Sequence, residues 1–155
     1  MTNKFEAPLT IDKRGNLSRP NFHDARVVGI FTGTDREVLI IVKEAEHNGL
    51  ICVKLSKIKH FQADNFRDGN IILDFSSMSG PEIDREEIVK IIFADNKFAL
   101  NSKNENYITG IMEKFCNNEL FLVQLSPSYG CEFNCICGSV EFVNSAKEAI
   151  ESVLS

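Results

Sequence analysis

The sequence predicts an α+β fold, and three observations carry that prediction. Alternating β-branched runs broken by Gly turns fill the first half of the chain. Between Pro81 and Asn118 the apolar spacing changes to the four-residue interval of helices. The period of two returns after Glu119, and a last helical segment follows it. Strands grouped together, then helices, then strands again are the pattern of α+β domains, not of alternating α/β ones.

Taken in order, residues 1–24 are polar and carry Pro8 and Pro20, which predicts an arm or short hairpin over the surface. A single α+β domain is expected over 25–155. In "ARVVGIFTGTDREVLIIVKE", Val28, Ile30 and Thr32 alternate, the Gly33 turn follows, and Val38, Ile40 and Val42 alternate again, which reads as a hairpin. "NGLICVKLS" supplies a third strand after Asn48-Gly49, and "DGNIILDFS" a later one, so the N-terminal half is expected to be an antiparallel meander. In "SGPEIDREEIVKIIFADN", Ile88 with Ile92 and Val89 with Phe93 sit four apart behind a first turn crowded with acids, which predicts a helix. In "LNSKNENYITGIMEKFCNN", Leu100, Tyr107, Ile108, Ile111, Met112 and Phe115 form one apolar stripe of a second helix. "ELFLVQLS" and "YGCEFNCIC" read as a late hairpin joined at Pro127-Ser128. In "SAKEAIESVLS", Ser145 and Glu148 have capping-box spacing ahead of Ala146, Ala149, Ile150, Val153 and Leu154, which predicts a C-terminal helix.

The late segment concentrates Cys131, Cys135 and Cys137, with Cys116 upstream. A period of two puts Tyr129, Cys131, Phe133, Cys135 and Cys137 on one face and Glu132 and Asn134 on the other, with Ile136 the exception. A strand with a buried face predicts this pattern, because a free thiol packs like a small apolar side chain. Structural zinc sites favour two C-x₂₋₄-C pairs, often on turns. Here Cys131 and Cys135 have no matching second pair, and no His lies near them in sequence. The metal or nucleophile alternative would use Cys131, Cys135 and Cys137 with a His brought in by the fold.

Composition narrows the function classes. The chain has 155 residues, 43% apolar and 25% charged, enough for one domain with a core of its own. No apolar run approaches the roughly 18 residues of a membrane helix. Lys4 has no apolar stretch behind it, so a secretory signal is not expected, and five cysteines, an odd number, suit a reducing cytoplasm. The net charge of −5 is unevenly spread: Met1 to His60 carries +3, and Phe61 to Ser155 carries −8. An acidic half disfavours nucleic acid and favours a basic protein partner.

Other constellations weigh less. "FHDA" sets His23 beside Asp24, but neighbours on a strand point apart. "ADNFRDGNIILD" fails as a calcium loop, with Phe66 at the third position and Phe75 at the twelfth. "GIFTG" lacks the glycine spacing of a dinucleotide site. Lys54, Lys57 and Lys59 in "VKLSKIKH" form a candidate phosphate-facing patch, read here as the wet side of a strand and turn. Glu82, Asp84, Glu86 and Glu87 suit a helix N-terminus and also offer a negative patch to a cationic surface.

Three segments, "NFHDARVVGI", "VKLSKIKHFQADNFRDGNIILDFS" and "LFLVQLSPSYGCEFNCIC", together resemble small single-domain bacterial immunity proteins of polymorphic toxin systems. The resemblance implies a cytoplasmic toxin inhibitor that binds another protein stoichiometrically, with no cofactor and no catalysis. Its partner would be a basic toxin domain, not nucleic acid or membrane. Glu82, Asp84, Glu86, Glu87 and Tyr129 are the candidates for the binding face. Two other readings stand beside it: the cysteine-dependent or metal-binding enzyme, and a homo-oligomer joined through an unpaired edge of the meander.

Overall fold

Eight of the strand-forming segments pair into one antiparallel sheet whose two ends are tied together by the chain itself. The computed structural model describes residues 10–11, 17–19, 22–33, 35–45, 49–94, 101–143, 147–148 and 150–151. Along them run β1 (Thr10–Ile11), β2 (Leu17–Arg19), β3 (Arg26–Thr32), β4 (Val38–Lys43), β5 (Leu50–Ser56), β6 (His60–Asp64) and β7 (Asn70–Met78). Then come α1 (Arg85–Phe93), α2 (Ser102–Cys116), β8 (Phe121–Tyr129), β9 (Glu132–Cys137) and β10 (Ser139–Val143). β1 and β2 make a small separate hairpin, and the other strands form one sheet in the order β10-β5-β4-β3-β7-β8-β9-β6.

A meander covers β3, β4 and β5 alone. β6 leaves it to pair with β9, and β7 returns to pair with β3, so the N-terminal half departs from the expected simple meander. The reason is a corner. Lys57–Lys59 separate β5 from β6, and Gly138 alone separates β9 from β10. β5 pairs with β10 while β6 pairs with β9, so two bent strands run side by side along their whole length. Across the corner, the Gly138 N–H donates to the carbonyls of Ser56 at 3.0 Å and Lys57 at 3.3 Å, and the Lys59 N–H to Ile136 at 2.8 Å. The sheet therefore closes into a six-stranded barrel of β3, β7, β8, β9–β10, β5–β6 and β4. Its shortest seam joins Arg26 and Val27 of β3 to Ile71 and Asn70 of β7. Every strand of the meander is paired on both sides.

Alternation decides what enters the barrel. Val38, Ile40 and Val42 of β4 point in, with Val53 and Leu55 of β5, Val123 and Leu125 of β8, and Phe133 of β9. Phe22, from the stretch expected as an arm, is 1% exposed and stacks edge-on against Phe75 at 5.3 Å, with Phe142 beside both rings. Each such fully buried side chain stabilises the fold by about 1.5–3 kcal/mol of transfer free energy. Val27, not Val28, is the inward residue of β3, because a register shift at Val27/Gly29 flips the alternation.

The outside of the barrel is covered in two places. Ile88 and Ile91 of α1, with Ile108, Ile111 and Phe115 of α2, pack over Leu122 and Ile136. On α1 the buried pair is three apart, not the expected Ile88 and Ile92. Tyr107 stays exposed instead of joining the α2 stripe, and Leu100 lies outside the described residues. On another side Leu39, Ile41, Cys52 and Val143 form an outer cluster with Ile150 against it. Lys147, Glu148, Ile150 and Glu151 are helical, while Ser145, Ala146, Ala149, Val153 and Leu154 of the expected C-terminal helix lie outside the described residues.

The late hairpin turns at Gly130, not at Pro127-Ser128. Pro127 lies inside β8 opposite Ile72, at a register shift where a missing N–H is tolerated. Gly130 has φ +91, and a Cβ there would collide with Asn70, at 3.1 Å from its Cα. Asn70 is 2% exposed, and its Oδ1 accepts from the N–H groups of Arg67 at 2.7 Å and Cys131 at 3.0 Å. One buried amide thus clips the 65–69 loop to the β8–β9 turn.

The same substitution should act oppositely at two glycines. Gly110→Ala on α2 meets open space and is expected to stabilise the protein by about 0.5–1 kcal/mol in urea unfolding. Gly130→Ala is expected to destabilise by about 2 kcal/mol or more, from left-handed strain plus overlap with Asn70. Equal effects at both sites would contradict the Asn70 clip.

Candidate functional site

The sulfurs come first, because catalysis would start there. Cys131, Cys135 and Cys137 point into the barrel core and are buried, Cys52 is buried in the outer cluster, and Cys116 alone is exposed, at the end of α2. All five are free thiols. Burial pushes the Cys52 thiol up to about 11, and burial together with Asp64 and Glu132 raises Cys131. Cys135 is raised by its hydrogen bond with Cys137 and by burial, while the same hydrogen bond lowers Cys137, which is itself buried in the core. A nucleophile or metal ligand needs an accessible thiol with a lowered pKa. Among the described residues no three His, Cys, Asp or Glu side chains are grouped to hold a metal ion.

Tyr129 leaves the face it was expected to share with these thiols. The Gly130 turn separates it from β9, and it stands half-exposed opposite Ile71.

The carboxylates gather on the outer face of β7, β8, β9 and β6, where pairing builds three rows. Met78, Leu122, Ile136 and His60 face one another in the first, which the helices cover. Ser76, Gln124, Asn134 and Gln62 make the second, a polar row. The third holds Asp74 opposite Ser126, and Glu132 opposite Asp64. Gln124 joins helix to sheet, its Nε2 donating to Glu87 Oε1 and to Asn134 Oδ1, each at 2.9 Å. Gln62 Nε2 donates to Asp64 Oδ2 at 2.6 Å.

The α1 acids therefore adjoin an acidic sheet surface. Asp84 caps the helix by accepting from the Glu86 N–H at 3.0 Å, worth about 1 kcal/mol. Glu87 is held by Gln124, while Glu82 and Glu86 face solvent. Tyr129 is five residues along β8 from Gln124, about 17 Å at strand rise, so it marks the opposite end of this surface. The sheet acids Asp64, Asp74 and Glu132 escaped sequence reasoning. Their signal is only that of outward positions on alternating strands, and the pairing of β6 with β9 that gathers them is non-local. Like charges directly opposite, as Asp64 and Glu132 are, cost the sheet a few tenths of a kcal/mol.

His23 and Asp24 meet after all. They lie in a turn, not on a strand, and Asp24 has φ +62, which brings His23 Nε2 within 3.9 Å of Asp24 Oδ2. His23 Nδ1 also lies 2.8 Å from the Leu73 carbonyl. That carbonyl and Asp24 raise the pKa of this exposed ring. His60 is different: burial against α1 lowers its pKa, the Ile91 carbonyl offsets part of that, and its Nε2 has no hydrogen-bond partner among the described residues.

Lys54, Lys57 and Lys59 separate. Lys54 pairs with Glu37 at 3.3 Å, whereas Lys57 and Lys59 sit at the barrel corner beside Arg36, Lys114 and Gly138. Arg36, Lys57 and Asn118 there have φ of 56, 55 and 58, a left-handed conformation costing about 1 kcal/mol or more each.

Two measurements check this arrangement. Under native conditions a thiol reagent is expected to modify Cys116 rapidly and the four buried cysteines only on unfolding; two or more fast thiols would place a cysteine outside the core. The folded state holds the neutral His60 ring, so stability is full above the ring's ordinary 6.5 and falls as pH drops below it toward the lowered folded value. His60→Gln should remove that loss in urea titrations between about pH 7 and 5.5, where His23, with its raised pKa, contributes in the opposite sense. No known protein-family model matches the chain, and neither a curated protein nor a solved structure matches it.

Proposed function

We propose that the protein is a binding module of toxin-immunity type, which neutralises a basic protein partner by stoichiometric association in the cytoplasm. One observation carries this reading: the α1 acids and the sheet acids Asp64, Asp74 and Glu132 adjoin one another across the Glu87–Gln124 bond. Such a surface steers a cationic partner during encounter and raises the association rate. Affinity then comes from a few desolvated anchors. Leu73 and Tyr129, both exposed on the two strands that carry Asp74 and Ser126, are of the right kind for that role.

The partner also resolves a cost within the sheet. Asp64 and Glu132 repel each other in the free protein, and an Arg or Lys placed between them removes that repulsion on binding. The burial of Cys131, Cys135 and Cys137 in the barrel core favours this reading over the cysteine-dependent enzyme, which needs an accessible thiol.

Titration calorimetry against the toxin domain encoded by the adjacent gene tests it. The expected result is a one-to-one complex with submicromolar affinity that weakens as salt rises. Glu86→Lys with Asp64→Lys should slow association about tenfold or more. No heat at micromolar concentrations, or an affinity indifferent to both charge reversals, would refute the proposal.

A further inference from the structure

The barrel corner holds a second surface of opposite charge. Arg36, Lys57, Lys59 and Lys114 line one cavity of about 670 Å³, together with Asp35 and Glu119. Among the described residues none of these four cations forms a salt bridge. A second hollow, of about 490 Å³, shares Arg36, Ile58 and Lys59 with the first and adds Thr32, Val38 and Tyr107. The two adjoin at those three residues, the first holding the four cations and the second Val38, the exposed Tyr107 ring and Glu37, which pairs with Lys54. Together they flank the corner at Lys57–Lys59 and Gly138, where the two bent strands pair. The Ile58 N–H donates to the Arg36 carbonyl at 3.2 Å, tying the β3–β4 turn to the corner. Lys57 lies against Gly138, where any Cβ would come within 3.0 Å of its stem.

Four cations converging in a chain of net charge −5 call for an anion with several charges. Arg36 supplies a planar fork suited to phosphate oxygens, and the lysines supply point charges around it. The neighbouring hollow offers a flat ring, Tyr107, and aliphatic Ile58 and Val38, suited to the face of a heterocyclic base. Asp35 and Glu119 accept hydrogen bonds only and suit sugar hydroxyls, not phosphate. Hollows of this size match small-molecule sites, not a groove tracking a long polyanion. We propose that this corner groove binds a nucleoside diphosphate or triphosphate, with the phosphates on Arg36, Lys57, Lys59 and Lys114 and the base against Tyr107.

Calorimetry at low salt with ADP, inorganic pyrophosphate and a short oligothymidylate tests this on the full chain. ADP is expected to bind with a dissociation constant on the order of 10–100 µM, and pyrophosphate more weakly. Lys59→Glu and Lys114→Glu change exposed side chains, and each should weaken both ligands about tenfold with an unchanged circular dichroism spectrum. Tyr107→Ala should weaken ADP and leave pyrophosphate unaffected. Asp64→Lys, on the acidic sheet, should leave ADP binding intact, so this groove and the protein-binding face fail or succeed separately. Absence of ADP and pyrophosphate binding at about 1 mM, or binding indifferent to both charge reversals, overturns the proposal. So does equal binding of ADP and pyrophosphate with no effect of Tyr107→Ala. Binding of the oligonucleotide alone also overturns it, in favour of a single-stranded nucleic-acid groove.

Discussion

Pairing of two bent strands at one corner is the constraint on which the rest of the molecule depends. The hydrogen bonds from Gly138 and Lys59 carry the ladder from β5–β10 into β6–β9 without a break. An open sheet of this length would leave two long edges with unpaired backbone groups, and closure leaves only short ones. Closure also makes an inside, in which the phenylalanine cluster and the thiols of β9 are sealed from water. Without it, the cysteine face would be a surface feature and its chemistry would change.

A barrel this small divides its outside sharply. The covered parts are apolar on both faces of the strand, which is why β4 runs Val38 to Val42 without an exposed position. Where no helix covers the sheet, the outward row turns polar at Ser76, Gln124, Asn134 and Gln62, and acidic two residues further along β6, β7 and β9. The transition is held by the Gln124 amide, which donates to Asn134 Oδ1 and to Glu87 in the first turn of α1. Helix placement and surface charge are thus set by the same register.

Charge segregation follows from the same geometry. Outward carboxylates fall on strands β6, β7 and β9, while cations collect where the chain turns at Arg36, at Lys57–Lys59 and at the end of α2. Tight corners place successive side chains in solvent, and long cationic stems cover the backbone there while keeping their charge wet. The result is an acidic sheet face and a corner that gathers four cations, set apart on one small body.

Local pattern alone determined the element types. Period-two runs marked β3, β4, β5, β7 and β9, the acid-rich first turn marked α1, and the Ile108, Ile111, Phe115 stripe marked α2. It also determined that Cys131, Cys135 and Cys137 pack as core, since alternation places them on one face with Phe133. Ile136 broke that alternation, and its reason is tertiary: the helices dock on the outside of β9. Tertiary structure likewise decided the corner, the pairing of β6 with β9, the turn at Gly130 and the meeting of His23 with Asp24. Each of these depends on contacts between residues far apart in sequence or on a single left-handed residue, and neither leaves a periodic trace. Surfaces assembled from several strands and turns, acidic on one side and basic on another, are legible only once register has been set by burial of the opposite face.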